Sequence, residues 1–153
     1  MARRMNLPIM ISDLHVEQVN ADAENAAGLG VVEGTRFTRV RRVIRADGRP
    51  AAYLVDTLPA TILDPAELPS NFTGSVLDFL IARGDKLGVS RAVIGATNAP
   101  ADVAKPLEIQ RDDVLLRFVS QLFDAKGSVV DYSVSYFIPG YFHFHVNRRV
   151  GNV

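Results

Sequence analysis

The chain has 153 residues, of which 48% are apolar and 22% are charged, and its 17 basic residues balance its 17 acidic ones. This length and composition predict a single globular domain and exclude a disordered chain. A net charge of zero gives no general attraction to nucleic acid or to an acidic membrane, which argues against DNA binding by this chain alone. The sequence has no cysteine, so disulfides and thiolate metal sites are excluded.

The N-terminal residues predict neither a membrane span nor a signal peptide. Their basic start is followed by an apolar stretch at residues 7–11, which ends at Ser12-Asp13 and is too short for either role. We therefore expect a cytoplasmic protein. Residues 1–13 are interpreted as a linker or terminal remnant, and residues 14–150 as the folded domain.

Turn residues and hydrophobic periodicity predict two helices and a hairpin in the first part of the chain. They are a helix at 21–28 that ends at Gly28-Leu29-Gly30, strands at 35–46 and 50–57 around the turn Asp47-Gly48, and a helix at 75–83 that ends at Gly84. The stretch between the hairpin and the second helix contains three prolines and is expected to be irregular.

The second part of the chain predicts one more helix and a β-meander. The elements are a strand at 90–97, a helix capped by Asn98 and stopped or kinked by Pro106, strands at 114–123 and 129–138, and a last strand at 141–147. Hairpins dominate, so the sequence predicts an α+β fold with a mainly antiparallel sheet, about five to seven strands, and helices packed on it.

Arg42 is the first candidate functional residue. In the strand at 35–46 it shares a face with Val40 and Ile44, because side chains two positions apart point to the same side of a strand. A buried guanidinium needs a partner anion. Three interpretations stay open, in which Arg42 pairs with an internal carboxylate, lies on a solvated face, or binds a ligand.

A second candidate group lies on the strand at 129–138. Asp131, Ser133, Ser135 and Phe137 share one face of it, and the opposite face carries only apolar and aromatic side chains. The polar face is either an exposed surface or the polar floor of a pocket.

Metal binding and catalysis find little support in the sequence. His143 and His145 share a strand face, but a zinc site needs a third ligand and the only other histidine is His15. We interpret the pair as exposed or hydrogen-bonded, and we expect no metal and no cofactor. The chain lacks a nucleophilic cysteine, a Gly-x-Ser-x-Gly turn and a Walker phosphate loop, so no catalytic residue is assigned and no enzyme is expected.

Three segments carry a family resemblance, in order, over residues 29–147. They are Arg42-Val-Ile-Arg-Ala-Asp-Gly-Arg-Pro50, Gly74-Ser75-Val76-Leu77, and the run from the Asp124-Ala-Lys-Gly127 turn through Asp131-Tyr-Ser-Val-Ser-Tyr-Phe137 to Phe144. They resemble the hairpin, the helix start and the closing strands of the UTRA domain. That domain is the effector-binding half of HutC-type regulators in the GntR superfamily of bacterial transcription regulators.

The resemblance implies a chorismate lyase-like fold, in which a ligand pocket lies between an antiparallel sheet and its helices. It also implies a small-molecule effector, a homodimer, and operator DNA that is bound only through an N-terminal winged helix. Residues 1–13 are too few for a winged helix, so we expect that domain to be absent from these 153 residues.

Transferred residue by residue, the resemblance implies a modified ligand site. Relatives that sense sugar phosphates use two hairpin arginines, a glutamate on the partner strand, a serine and tyrosine at the helix start, and a late glutamate and tyrosine. Here Arg42 and Ser75 are retained, and the other positions hold Ile44, Leu54, Leu77, Asp131 and Phe137. The implied ligand-binding set is Arg42, Leu54, Ser75, Leu77, Asp131, Ser133 and Phe137. With fewer charges, it predicts a more apolar effector, such as a monocarboxylate held by Arg42 and Ser75.

Two other functions stay open beside effector sensing. The shared fold allows a lyase that acts on a chorismate-like acid, although the missing second arginine and late glutamate count against it. The third function is that of a dimerisation module whose pocket binds nothing.

Overall fold

A computed structural model describes residues 3–4 and 7–151 of the chain. In chain order the elements are β1 (Arg3–Arg4), β2 (Ile9–Asn20), α1 (Ala23–Leu29), β3 (Arg36–Ala46), β4 (Arg49–Pro59), a 3-10 turn (Pro65–Glu67), α2 (Val76–Arg83), β5 (Leu87–Asn98), α3 (Ala101–Leu107), β6 (Val114–Asp124), β7 (Val129–Phe137) and β8 (Phe142–His143). The helices and strands alternate only loosely along the chain, as expected of an α+β protein.

The long strands form one six-stranded sheet in the order β2-β3-β4-β7-β6-β5. Every neighbouring pair in it is antiparallel. The short strands β1 and β8 form a separate two-stranded ladder. The prediction of an α+β fold with an antiparallel sheet and packed helices is therefore confirmed.

The hairpin between β3 and β4 turns at Asp47-Gly48, as predicted. Both residues have positive φ, 51° and 76°, which is the conformation that a tight two-residue hairpin turn needs. Beyond the turn, a bulge shifts the register, so Arg45 lies opposite Pro50 but Ile44 lies opposite Ala52. The extra residue, Ala51, is fully buried and its carbonyl accepts a hydrogen bond from the Ile138 amide.

The helices cover the two sides of the sheet. We use face A for the side under α2, where Val40, Leu58 and Leu122 pack against Val76 and Leu80. Face B is the other side, where α1 and α3 each pack over their own apolar cluster. Because both sides carry helices, both faces of the central strands contribute to the core.

Helix α1 approaches face B very closely. A Cβ atom built on Gly28 would lie only 2.6 Å from Cδ2 of Tyr132, so only glycine fits there without movement of the ring. The Gly28 carbonyl also accepts a hydrogen bond of 2.8 Å from the side chain of Gln121. These contacts fix the distance between helix and sheet.

Three predictions from sequence are wrong in detail. Residues 9–13 are not a linker, because they form the start of β2 and pair with β3. The last strand spans Phe142–His143 rather than 141–147. Helix α3 begins after Pro100, and no side chain caps it with a hydrogen bond, so Asn98 is not its cap.

Candidate functional site

Arg42 lies at the centre of face A and is paired with an internal carboxylate. Its side chain is 5% exposed, and Nη1 donates a hydrogen bond of 2.7 Å to Oδ2 of Asp56. The bulge at Ala51 sets this pairing, because it places Arg42 opposite Leu54 and leaves Asp56 on the same face, two residues further along β4. Of the three interpretations that the sequence left open, the structure shows the internal carboxylate.

Asp131 on β7 is a third buried polar residue on face A, beside the pair of Arg42 and Asp56. Asp131 is 6% exposed. Its pKa is raised well above the usual range, mainly because the carboxyl group is buried. The charge of Asp56 and a hydrogen bond to Asp56 raise this pKa further. The charge of Arg42 and a backbone hydrogen bond at Thr57 lower the pKa of Asp131, but each of these effects is smaller than those that raise it. Burial beside a second carboxylate therefore favours the neutral form of Asp131, while Arg42 pairs directly with Asp56.

Two serine side chains lie next to these three polar residues on the same face. Ser133 lies opposite Asp56, and Ser135 lies opposite Leu54. Both serines are half-buried. We call Arg42, Asp56, Asp131, Ser133 and Ser135 the central polar patch. The sequence left open whether this polar face is exposed or forms the floor of a pocket. In the structure Asp131 is buried and the two serines are half-buried.

Phe137 borders the patch within a group of phenylalanine rings. The aromatic cluster consists of Phe118, Phe137, Phe142 and Phe144, with the Phe137 ring centroid 4.8–5.2 Å from the three others. The segment after β7 folds back over face A and brings Phe142 and Phe144 into place. Face A thus combines a charged and hydroxylated centre with an aromatic wall.

The two candidates on α2 differ from those on the sheet. The Ser75 hydroxyl caps the helix by accepting a hydrogen bond of 2.9 Å from the Asp78 amide. Leu77 is 40% exposed, whereas its neighbour Val76 is buried against the sheet. The structure therefore brings Arg42, Leu54, Asp131, Ser133 and Phe137 together on face A, and it places Ser75 and Leu77 at the start of the covering helix.

Sequence reasoning missed Asp56, the partner of Arg42. A hairpin without a bulge would place Arg42 opposite Tyr53, and Asp56 would then point to the other face. The only signal in the sequence was a lone carboxylate within an apolar strand. Phe118 and Phe144 were missed because their contacts join segments that are distant in the chain.

The histidine pair does not form a metal site among the described residues. His143 and His145 are both exposed, and residues 3–4 and 7–151 hold no group of three metal-binding side chains. No helix in the same ranges is long and apolar enough to span a membrane.

The antiparallel sheet with helices on both faces agrees with the fold that the three sequence segments imply. The model of the UTRA domain family matches residues 11–143. The chain belongs to the UTRA family. The match confirms the resemblance of the hairpin, the helix start and the closing strands, and it identifies the chain as the effector-binding domain of a GntR-type transcription regulator. The lyase interpretation is not favoured.

Solved structures agree with this assignment. A proposed transcriptional regulator from Streptomyces coelicolor is 28% identical, covers 97% of this UTRA domain and 99% of its own chain, and superposes with a TM-score of 0.74. A GntR-family regulator from Enterococcus faecalis is 22% identical over 97% of this chain and 100% of its own, with a TM-score of 0.77. PhnF from Mycobacterium smegmatis has a TM-score of 0.83 at 17% identity.

The UTRA domain is shorter than some of these proteins. The alignment with PhnF covers 95% of this chain but only 64% of the PhnF chain. The alignment with YydK from Bacillus subtilis covers 66% of the YydK chain. No curated relative matches the sequence.

Proposed function

We propose that this UTRA domain senses a small molecule that binds on face A, at the central polar patch. The observation that supports this site is a pair of buried polar atoms, Nε of Arg42 and Oδ1 of Asp131, that have no hydrogen-bond partner within the described ranges. Each such atom costs about 1–3 kcal/mol when it is left unsatisfied. A ligand carboxylate that accepts a hydrogen bond from Nε of Arg42 would remove the first of these costs.

The charge of the patch favours a ligand with at most one negative charge. Asp56 already balances Arg42, and the raised pKa of Asp131 favours its neutral form. Ile44 stands where the relatives that sense sugar phosphates are expected to have a second arginine, so an anion bound here meets no further cation. This penalty is larger for a phosphate dianion than for a monocarboxylate. The aromatic cluster and Leu54 add apolar wall. We therefore propose a monocarboxylate with an apolar body, bound to the free edge of the Arg42 guanidinium.

We also propose that the domain works within a longer, cytoplasmic regulator. Effector binding would shift the equilibrium between two arrangements of attached winged-helix domains and so change their affinity for operator DNA. The UTRA domain itself would bind no DNA, in keeping with its net charge of zero.

The two edges of the sheet support a homodimer formed through β5. This edge strand has 12 residues, exposes Val89, Val93 and Ile94 by 53–68%, and contains Arg91 as its only charged residue. Long apolar edges with few charges expose unpaired backbone groups that pair readily with another strand. The opposite edge strand, β2, is interrupted by a bulge at Asp13 and carries charged side chains. A second copy can pair with β5 about a two-fold axis.

Light scattering coupled to size-exclusion chromatography tests this dimer. Val93→Lys places a charge in the proposed interface and should yield a monomer. Val32→Lys is the matched control, because Val32 is 79% exposed in a loop far from β5 in sequence, and it should remain dimeric. A dimeric Val93→Lys variant, or a monomeric unmodified chain, would contradict the proposed interface.

A thermal-shift screen with separate panels of small carboxylates, sugar phosphates and chorismate tests the effector proposal. A ligand at 100 times its Kd adds about 2.7 kcal/mol of stability, which raises the melting midpoint of a domain of this size by roughly 5–11 °C. Ser135→Ala removes one patch hydroxyl without exposing a buried charge and should weaken binding several-fold. The control Ser70→Ala changes an exposed loop residue and should not.

Two results would overturn this assignment of the effector. Tighter binding of sugar phosphates than of carboxylates would show that the charge argument is wrong. Turnover of chorismate by the purified chain would support the lyase instead of the sensor. No binding in any panel would favour a dimerisation module.

A further inference from the structure

A second polar groove lies on face B, on the opposite side of the sheet from the central polar patch. It lies between α1 and α3 and encloses a cavity of about 260 Å³. Its lining includes three arginines and two tyrosines, namely Arg39, Arg41, Arg117, Tyr53 and Tyr136. None of the residues of the proposed effector site contributes to it, so the two sites are independent.

The strand register places arginines on two opposite sides of this groove, on β3 and on β6. We call these two sides the rims. Arg41 on β3 lies opposite Val55, and Val55 lies opposite Val134. Arg117 on β6 lies opposite Tyr136. Two strands separate β3 from β6, so the backbones of the two rims are roughly 14 Å apart. Long arginine side chains from both rims can therefore reach over the apolar floor toward one small molecule.

The guanidinium groups around the groove have unused hydrogen-bond donors. Arg39 and Arg41 lie 3.5 and 3.3 Å from Glu17, and Arg117 lies 3.9 Å from Glu24. These are ion-pair distances, and within the described ranges none of the three arginines donates a side-chain hydrogen bond. Nε of Arg41 is buried and has no hydrogen-bond partner in the part of the chain that the structure describes.

The acidic residues at the groove do not occupy these donors. Glu24 is 69% exposed, so water and salt screen its charge strongly. Asp102 is exposed in the first turn of α3, where the helix dipole already favours it. Glu17 lies at ion-pair distance from both Arg39 and Arg41 but accepts no hydrogen bond from either within the described ranges. The guanidinium groups on both sides of the groove therefore keep donors that a carboxylate ligand can use.

Two tyrosines complete the site. Tyr53 and Tyr136 lie opposite each other on the central strands, and Arg117 lies over the Tyr136 ring at 5.9 Å from its centroid. The rings provide apolar surface, and each hydroxyl group can donate a hydrogen bond.

We infer that this groove binds a small dicarboxylate, with one carboxylate at Arg39 and Arg41 and the other at Arg117. The cavity lies just below the roughly 300 Å³ at which pockets for drug-sized ligands begin, so it fits an acid with a short carbon chain. The methylene groups of the ligand lie over Val55 and Val134. This inference does not depend on the effector site on face A.

Titration of the full chain with glutarate and succinate tests the inference. The sequence has four tyrosines and no tryptophan, so tyrosine fluorescence reports the groove through Tyr53 and Tyr136. We expect saturable binding that weakens with added salt. Arg117→Ala should weaken glutarate binding at least ten-fold, whereas Arg111→Ala, which removes an exposed arginine outside the groove, should not change it.

Acetate distinguishes a two-ended site from a simple anion site in the same titration. It should bind at least ten-fold more weakly than glutarate, because it can reach only one rim. Equal binding of acetate and glutarate, or no effect of Arg117→Ala, would overturn the two-ended site. Ser135→Ala should leave glutarate binding unchanged. If it weakens glutarate binding as strongly as Arg117→Ala does, the dicarboxylate site on face B is wrong.

Discussion

Replacing Asp131 by asparagine should change how the stability of this domain depends on pH. Burial and the second carboxylate raise the pKa of Asp131, so the folded protein holds this proton to higher pH than the unfolded chain does. The unfolded chain releases that proton above about pH 4. Folding therefore binds a proton, and its free energy becomes less favourable as pH rises from about 4 toward the folded pKa.

The size of this effect follows from proton linkage. One bound proton changes the free energy of unfolding by about 1.4 kcal/mol per pH unit. The asparagine side chain of the variant has the shape of the neutral carboxyl group and no proton to lose. The stability of the variant relative to the original should thus increase with pH above about pH 4, by at most about 1.4 kcal/mol per pH unit, until the folded protein loses this proton.

Urea unfolding at about pH 5, 6 and 7 and constant ionic strength measures this difference. Contributions of other titratable groups cancel when the two proteins are subtracted at each pH. Asp56→Asn provides a second check, since without the Asp56 charge the pKa of Asp131 should fall and the pH dependence should weaken. A stability difference for Asp131→Asn that does not change with pH would refute the reasoning.

Three further substitutions test the packing and the buried charges. Gly28→Ala should destabilise the domain by about 1–2 kcal/mol in urea unfolding, because the contact with Tyr132 outweighs the gain in helix propensity; equal or higher stability would contradict the close approach. Phe137→Ala should cost about 2–3 kcal/mol for a half-buried ring, measured by calorimetry, and a loss below about 1 kcal/mol would contradict the aromatic cluster. Arg42→Ala should cost about 3–5 kcal/mol by leaving Asp56 unpaired, and Arg42→Met combined with Asp56→Leu should recover most of it. A double variant as unstable as Arg42→Ala alone would exclude that cause.

Much of the fold could be predicted because its signals are local. Asp47-Gly48 specifies a tight hairpin turn through positive φ values, and Gly84 ends α2 in the left-handed conformation. The alternation in β7 separates polar from apolar side chains over a few residues. These features depend on backbone sterics and on side-chain periodicity, which a sequence displays directly.

The errors arose where distant segments decide the structure. The bulge at Ala51 is stabilised by a hydrogen bond from Ile138, which is far away in the chain, and it alone puts Asp56 beside Arg42. The start of β2 shows no alternation of its own and becomes a strand by pairing with β3. After the turn at Pro139-Gly140, the chain leaves the six-stranded sheet, and the rings of Phe142 and Phe144 pack against Phe137 on face A.

The ladder between β1 and β8 connects the aromatic cluster to the segment that precedes β2. Arg4 pairs with Phe142, whose ring lies 5.2 Å from that of Phe137 at the edge of the central polar patch. Two residue pairs have almost no stability of their own, so the ladder persists only while Phe142 keeps its position. A substitution that moves Phe142 would therefore also separate the two residue pairs that hold Arg3 and Arg4 against the end of the chain's last strand.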